Sequence, residues 1–427
     1  MAIDVRPYSR PYGPQAAHGA MRAEAPAASS DKVLMGCVLA ILIGVTFLQR
    51  FAVPLGGEEQ VHFSMVVALV AVGVLVVTGR AVVDPMRLFL FAIAGTVVAL
   101  STILARDPIS LPSIALMLVI YVTHILTVST TVATRRRMFN MFQWIMVITA
   151  VAGICQFFLQ FAIGPDLLFT FDWLVPEPLL LTGFNTENEL AYQVFIYKAN
   201  GMVFLEPSTF SQFLALAILI EILFFGITLR IAVYLVAIFV SYSGTGMMLL
   251  AIFVPVILIA RGQILAIASA IVALMVVVLF GEALNLNFIT GRLGEFSSTE
   301  SSAFARFISP LWMIDDYILT DLYSFLFGKG PGTILSYMML TPYQSFDPTY
   351  GKIAFEYGFL GLISFTLFYL NALYARSRVP ILSSALLMFY LLLSGAFLSP
   401  YAVFLVYALV ILPSVDRDGN RDGGRAA

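Results

Sequence analysis

VPILSSALLMFYLLLSGAFLSPYAVFLVYALVIL, Val379–Leu412, is an apolar run of 34 residues that contains no charged side chain. An α-helix crosses the hydrocarbon core of a membrane in about 20 residues, so the run is too long for one crossing. Proline interrupts a helix, and Ser399-Pro400 therefore divides the run in two. The stretch predicts two consecutive membrane-spanning helices.

The rest of the chain has the same apolar character. Of its 427 residues, 60% are hydrophobic and 11% are charged, whereas about 25% of the residues in soluble domains are charged. Ten further apolar runs lie near residues 33–47, 63–77, 88–104, 111–133, 142–163, 209–226, 231–240, 247–260, 264–280 and 353–374. Together with the divided run, they predict an all-α polytopic integral membrane protein with about 12 transmembrane helices.

The two ends of the chain are different. Residues 1–32 contain several prolines and show no apolar periodicity, which predicts a disordered tail. No small-residue cleavage site follows the first apolar run, so we interpret that run as an uncleaved span. The transmembrane domain then covers residues 33–413, and residues 414–427 form a second tail.

Basic residues indicate the orientation, because Lys and Arg concentrate on the cytoplasmic side of a membrane protein. If both termini are cytoplasmic, that side carries 16 of the 23 basic residues, and the outer side carries Arg50, Arg106, Lys198, Arg292, Arg306, Lys329 and Lys352. Two extracytoplasmic loops are then long, residues 164–207 and 281–350. Long loops are usually functional, and we expect the active surface there.

The second long loop contains FGKGPG, Phe327–Gly332, which combines three glycines with a lysine. Such turns let backbone N–H groups converge on an anion. A nucleotide-binding P-loop also needs glycine five residues before the Gly-Lys pair and Ser or Thr after the lysine. Tyr323 and Gly330 stand at those two positions. The spacing excludes a P-loop and leaves an anion at the outer membrane face as the expected ligand.

Two arginines share this loop with the glycine turn. Arginine matches phosphate oxygens with a planar fork of donors, so the combination suits a pyrophosphate. We expect Arg292, Arg306 and Lys329 to supply charge, and the turn around Gly328 and Gly330 to supply N–H donors. Ordinary solvated loop charges are the alternative interpretation.

Three outward carboxylates are candidates for a general base, because a carboxylate near apolar surroundings can have a raised pKa. Glu206 stands at the start of a span, where it could instead act through helix N-terminal electrostatics. Asp347 precedes a proline and could belong to a simple turn. Glu356 could pair with Lys352 at i,i+4 spacing. We rank Asp347 and Glu206 above Glu356.

The order of these residues resembles a known family. Lys198-x-x-Gly201-x-x-x-x-Glu206-Pro207-Ser208 is followed by Ser243-Gly244-Thr245-Gly246 between two spans, and then by Arg292, Arg306, FGKGPG and Asp347. This order resembles the Wzy-type polymerases of the O-antigen polymerase and ligase superfamily. The resemblance implies a GT-C-like membrane glycosyltransferase. Lys198 stands where family members commonly have arginine, and the resemblance assigns it to pyrophosphate binding.

The resemblance implies transfer of a growing glycan from undecaprenyl pyrophosphate to a sugar hydroxyl on a lipid-linked repeat unit. The reaction would take place at the outer face of a bacterial inner membrane and would need neither a metal ion nor another cofactor. The implied partners are the undecaprenyl-pyrophosphate-linked oligosaccharide, membrane lipid, a chain-length regulator and other polysaccharide export proteins. Nucleic acid is not an expected partner.

Two alternatives remain open. O-antigen ligases typically have a functional histidine in the last large loop, whereas His18, His62 and His124 all lie elsewhere in this chain. A flippase for lipid-linked oligosaccharides would also suit twelve spans, but transporters usually place ionisable groups near the membrane midplane and often show repeated halves. The polar residues here concentrate in two outer loops, which favours chemistry on a lipid-borne substrate.

Overall fold

A computed structural model describes residues 27–56, 59–171, 173–184, 186–190, 195–263, 299, 301–393, 395 and 397–415. These residues are mostly helical. The helices are α1 (Ala27–Phe47), α2 (Phe63–Val77), α3 (Pro85–Ile103), α4 (Leu111–Val122), α5 (Val132–Ile163), α6 (Asp166–Phe169), α7 (Pro207–Phe224), α8 (Leu229–Ser241), α9 (Gly244–Ala260), α10 (Ser302–Phe307), α11 (Ser309–Tyr317), α12 (Leu322–Phe327), α13 (Ile334–Met338), α14 (Thr349–Tyr374), α15 (Pro380–Met388) and α16 (Pro400–Val406).

Short elements complete these helices. π-Helical turns, Phe389–Leu393 and Tyr407–Ile411, extend α15 and α16, and 3-10 turns lie at Thr123–Ile125 and Glu177–Leu179. The strands are β1 (Ala52–Gly56), β2 (Glu59–His62), β3 (Val82–Val83), β4 (Leu126–Thr130) and β5 (Pro413–Val415).

Four helices of the described chain are long and apolar enough to cross a membrane: α3, α5, α7 and α14. Seven further apolar helical segments have only 10–17 residues, with α1 counted from Lys32 to Phe47, less than the roughly 20 that a crossing needs. The four long and seven shorter helices coincide with the predicted apolar runs, except that the run 264–280 lies outside the described residues. Of the roughly 12 transmembrane helices that the sequence predicts, four are thus long and apolar enough to cross a membrane in the described part of the chain.

Two helix boundaries differ from those expected from the sequence. The helix α1 begins at Ala27, within the tail predicted for residues 1–32, and residues 1–26 and 416–427 lie outside the described part of the chain. The run 111–133 leaves helical structure after Ile125 and continues as β4. Thr127, Val128 and Thr130 are β-branched, which suits an extended strand better than a helix.

A three-stranded sheet brings loops from distant parts of the sequence together. β4 pairs antiparallel with β3 and parallel with β5. Beside it, Nη2 of Arg376 lies 2.7 Å from an oxygen of Asp84, and the buried Arg87 donates to the carbonyl of Ile411 over 3.0 Å. We call this region the sheet end. Every loop that meets here was predicted to face the cytoplasm.

The opposite end carries the two long loops, and we call it the loop end. α3 and α5 begin beside the sheet and end at these loops, where Tyr323 donates its hydroxyl proton to the Leu104 carbonyl. The Ser110 N–H likewise donates to the Pro331 carbonyl over 2.9 Å. At the loop end the strands β1 and β2 form a hairpin.

Helix α7 lies at the centre of the bundle. Every side chain from Thr209 to Glu221 is buried, whichever way it points. A helix that is apolar all round belongs inside a protein, packed against other helices. Because α7 begins directly after Glu206, the packing of the core holds this carboxylate at the loop end.

Candidate active site

Glu206 and Arg306 come from the two different long loops and meet at the loop end. Nη2 of Arg306 lies 3.8 Å from Oε2 of Glu206, and both side chains are partly exposed. Burial lowers the pKa of the Arg306 guanidinium, and the negative charge of Glu206 opposes this shift. The Ser208 hydroxyl donates to the same carboxylate over 2.8 Å, which orients it. The pair is therefore a fixed arrangement that still reaches solvent.

Two further contacts fix the position of Arg306. Its Nη1 donates to the carbonyl of Leu393 over 2.7 Å, and its guanidinium carbon lies 4.4 Å from the centre of the Phe346 ring. Leu393 ends the π-helical turn of residues 389–393, and its carbonyl also accepts from Gln212 over 3.0 Å. π-Helical turns often occur at functional sites. Here the turn presents a carbonyl to an arginine.

A second group of charges lies around Lys352. Its ammonium is 3.2 Å from a carboxylate oxygen of Asp347 and 3.2 Å from one of Glu356. The Glu356 side chain is completely buried, whereas a quarter of the Asp347 side chain is exposed. The ion pair between Lys352 and Glu356 is the one that their i,i+4 spacing predicted. Glu356 does not reach the surface, so Asp347 is the more exposed of the two carboxylates that pair with Lys352.

Phe346 and Asp347 join these two groups of charges. Arg306 stacks on Phe346, and the next residue, Asp347, binds Lys352. We call Glu206, Arg306, Asp347, Lys352 and Glu356 the charged cluster. It contains three carboxylates and two cations drawn from the start of α7, from α10 and from the start of α14. Four of these residues were predicted to be site residues, whereas Lys352 was predicted only to pair with Glu356.

The FGKGPG turn packs against a break in helix α14. Gly358, inside this helix, has φ +66° and ψ −172°, which interrupts the helical hydrogen bonds. The N–H groups of Lys329 and Gly330 donate to the carbonyls of Phe355 and Glu356 over 2.9 Å each. These carbonyls end the first half of the broken helix, so the turn caps it. Binding an anion through these two N–H groups would require the protein to give up both bonds.

Lys329 points toward the neighbouring helix α12. Its ammonium donates to the Ser324 hydroxyl over 3.0 Å, and Ser324 in turn binds Asp321. Hydrogen bonds from the backbone and the hydroxyl of Ser324 lower the pKa of the Asp321 carboxyl, and the charge of Lys329 adds to this effect. Lys329 thus stabilises the short helix before the turn.

Gly328 and Gly358 face each other across this contact. A Cβ atom on Gly328 would lie 2.6 Å from the Glu356 carbonyl oxygen, and one on Gly358 would overlap the backbone of Leu326. Both glycines have positive φ, of +76° and +66°, which side chains rarely tolerate. The two glycines therefore permit a backbone-to-backbone contact that no other residue allows.

We expect Gly358→Ala to separate the turn from helix α14. The new methyl group would overlap backbone atoms, which cannot move aside as a side chain can, so apparent thermal stability in detergent should fall markedly. The matched control is Gly73→Ala, because Gly73 lies in α2 and no atom lies within 4 Å of the position that its Cβ would take. Alanine in a helix is favourable there, and stability should be unchanged or slightly higher. Equal stability of both variants would contradict the contact described here.

The Ser243–Gly246 motif supports the start of α7. The Thr245 hydroxyl donates to the Ser208 carbonyl over 3.3 Å, and the Gly246 N–H donates to the Ser211 hydroxyl over 3.2 Å. A side chain on Gly246 would overlap the backbone of Ser211. The motif therefore packs closely on the turn that carries Glu206, and this gives it a positioning role.

The other two cations of the predicted site are Lys198 and Arg292. Lys198 lies in the first long loop, where its N–H donates to the Asn188 carbonyl over 2.8 Å. Arg292 lies outside the residues that the structure describes. Comparison with known proteins found no matching family model, curated protein or solved structure.

Proposed function

We propose that this protein is a membrane glycosyltransferase that polymerises a polysaccharide from lipid-linked repeat units. The observation that carries this proposal is the charged cluster, in which part-exposed Glu206, Arg306 and Asp347 converge at one end of an apolar helical bundle. A lipid-borne substrate keeps its anchor in the membrane and its sugars outside it. Polar chemistry at the end of such a bundle suits that substrate.

In the proposed reaction, a hydroxyl oxygen of the acceptor sugar attacks the anomeric carbon of the donor glycan. The bond between that carbon and the phosphate oxygen breaks, and undecaprenyl pyrophosphate leaves with the bonding electrons. A carboxylate takes the proton of the acceptor hydroxyl. Arg306 stabilises the charge that develops on the leaving pyrophosphate, as preorganised cations do for transition states. Arg292 remains part of the proposal as a second cation in the same loop.

We assign the base to Asp347. Glu206 lies beside Arg306, so a pyrophosphate bound to that arginine would repel the Glu206 carboxylate. Asp347 follows Phe346, on whose ring Arg306 stacks, and Asp347 is held by Lys352. Glu206 then orients Arg306. The buried Glu356 acts through Lys352, since a base must come within hydrogen-bond reach of the proton it takes.

The proposal includes the finer topology: about twelve spans, both termini in the cytoplasm, and the charged cluster outside a bacterial inner membrane. Two observations support it. Loops predicted to be cytoplasmic meet at the sheet end, as β3, β4, β5 and Arg376 do. Loops predicted to be outside meet at the loop end, where Arg306 and Glu206 come together.

The test is an assay of the purified full-length protein in lipid nanodiscs with a defined undecaprenyl-pyrophosphate-linked repeat unit. We expect a ladder of products that differ by one repeat unit. With a lipid A core added as a second acceptor, transfer to that core without a ladder would mean a ligase. With the protein in sealed vesicles, movement of lipid-linked units across the membrane without new glycosidic bonds would mean a flippase and would refute the proposal.

A further inference from the structure

The first long loop borders a cavity of about 370 Å³ at the loop end, and this cavity is open to solvent. Small-molecule sites in proteins commonly occupy about 300–1,000 Å³, so this space is large enough for one or two sugar rings. Its lining includes Glu177, Phe184, Glu187 and Leu205. Leu205 directly precedes Glu206, so the cavity adjoins the charged cluster.

The walls of this cavity are held together by hydrogen bonds between segments far apart in the sequence. The Leu181 N–H donates to the Arg50 carbonyl over 2.8 Å. Gln60, on β2, donates to the Leu180 carbonyl over 3.2 Å and accepts from the Thr182 N–H over 3.2 Å. These bonds tie the loop to the β1–β2 hairpin. A site built in this way is largely preformed, which reduces the entropic cost of binding a ligand.

The positively charged group in the cavity wall, the Arg50 guanidinium, already binds other groups of the protein. Arg50 is buried, donates to the carbonyls of Met202 and Phe169 over 2.8 Å and 2.6 Å, and lies 4.5 Å from the centre of the Phe171 ring. The Thr170 hydroxyl also donates within the protein, to the Asp166 carbonyl over 2.8 Å. These donors hold the wall together.

The exposed ionisable groups of the cavity are two carboxylates. Glu177 and Glu187 are both exposed and both line it, and an ionised carboxylate accepts hydrogen bonds but donates none. These carboxylates therefore favour a ligand that brings hydrogen-bond donors, which sugar hydroxyls and amino groups supply. Phe184, half-buried in the wall, offers an apolar ring face that suits the C–H side of a sugar ring.

We infer that this cavity binds the sugars of the lipid-linked substrate and selects neutral or amino-bearing saccharides over acidic ones. The inference rests on the proposed function for the source of its ligand. Two carboxylates in one cavity repel a third, so a uronic acid or a phosphorylated sugar is disfavoured, and such repulsion is a common basis of specificity. The cavity thereby restricts which repeat units reach Arg306 and Asp347.

The test uses the purified full-length protein in detergent and an array of neutral, amino-bearing and uronic-acid-containing oligosaccharides without lipid carriers. We expect binding to neutral or amino-bearing glycans. Glu177→Gln and Glu187→Gln should each weaken that binding about tenfold, since hydrogen bonds to charged groups are among the stronger ones. The double variant should gain binding to uronic-acid glycans. The matched control is Asp315→Asn, which removes an exposed carboxylate in the other long loop and should change neither result.

Three outcomes would overturn the inference: no glycan binding by the wild-type protein, equal binding by the variants, or preference of the wild-type protein for acidic glycans. Each is independent of polymer formation, because the soluble glycans carry no pyrophosphate. If the protein binds these glycans but makes no ladder from lipid-linked units, the proposed polymerase activity is refuted and the proposed glycan binding in the cavity stands. If the wild-type protein binds no soluble glycan and the double variant makes the ladder at the wild-type rate, the proposed polymerase activity stands and the proposed glycan binding in the cavity is refuted.

Discussion

Arg306→Ala is expected to lower the rate of polymer formation about 10²- to 10³-fold, the loss that follows removal of one preorganised transition-state contact. Arg306 is the part-exposed cation of the charged cluster, and Glu206, Leu393 and Phe346 hold it in one orientation. Arg306→Lys should recover little activity, because an ammonium cannot reproduce the planar fork of the guanidinium. The measurement is the initial rate with a defined lipid-linked repeat unit in nanodiscs.

A structural role of Arg306 must be separated from a role in the reaction, since this side chain also binds the carbonyl of Leu393. Loss of that bond should lower thermal stability, which the apparent melting temperature in detergent reports. The matched control is Arg261→Ala, which removes an exposed arginine bound to the Ile222 carbonyl at the other end of α7. We expect near-normal rates from it. Near-normal rates from folded Arg306→Ala would exclude Arg306 from the reaction.

Lys352→Met is expected to destabilise the protein by about 3–5 kcal/mol, the usual cost of removing one partner of a buried ion pair. Methionine fills similar space, but it leaves the completely buried Glu356 carboxylate without its cation. Asp347, which also loses Lys352, is partly exposed and can be hydrated instead. The apparent melting temperature and the amount of inserted protein measure the effect.

A second substitution identifies the cause of this loss. Glu356→Gln in the Lys352→Met background replaces the buried charge by a neutral amide, so it should restore much of the stability. Activity should stay low in the double variant, because Asp347 has lost the ammonium that positions it. The control is Lys32→Met, which removes an exposed lysine near the start of α1. Full stability of Lys352→Met alone would contradict a buried ion pair.

The location of the helices was largely predictable, because hydrophobicity is a local property of each segment. The divided run Val379–Leu412 does break at Ser399-Pro400, and α16 begins at Pro400. The sheet was not predictable in the same way. β3, β4 and β5 are separated by tens to hundreds of residues, and pairing between such distant strands leaves no local pattern in the sequence.

Part of the candidate site was also predictable. Charges are rare in this chain, so Glu206, Arg306 and Asp347 stand out in the outer loops, and the structure brings them to one region. Lys352 was underestimated although its i,i+4 spacing to Glu356 was visible. Its contact with Asp347 depends on how the chain turns into α14, and this turn has no signature in residue spacing.

The FGKGPG turn shows the difference most clearly. Its glycines indicated an unusual backbone, and the three glycines do have positive φ. An anion and a protein carbonyl both accept hydrogen bonds from backbone N–H groups, so residue type alone does not distinguish between these two acceptors. The broken helix at Gly358 brings two carbonyls to this position.

Apolar composition, the spacing of proline and the scarcity of charge belong to the chain itself, and they determined that the protein is a helical bundle suited to a membrane with polar residues at one end. The tertiary structure decided which of those polar residues meet. It paired Glu206 with Arg306, placed Lys352 between two carboxylates, and tied Arg50 and Gln60 to a loop more than a hundred residues away. The reason is that hydrophobicity is a property of each residue alone, whereas an ion pair or a cavity depends on the distance between segments, which packing of the whole bundle sets.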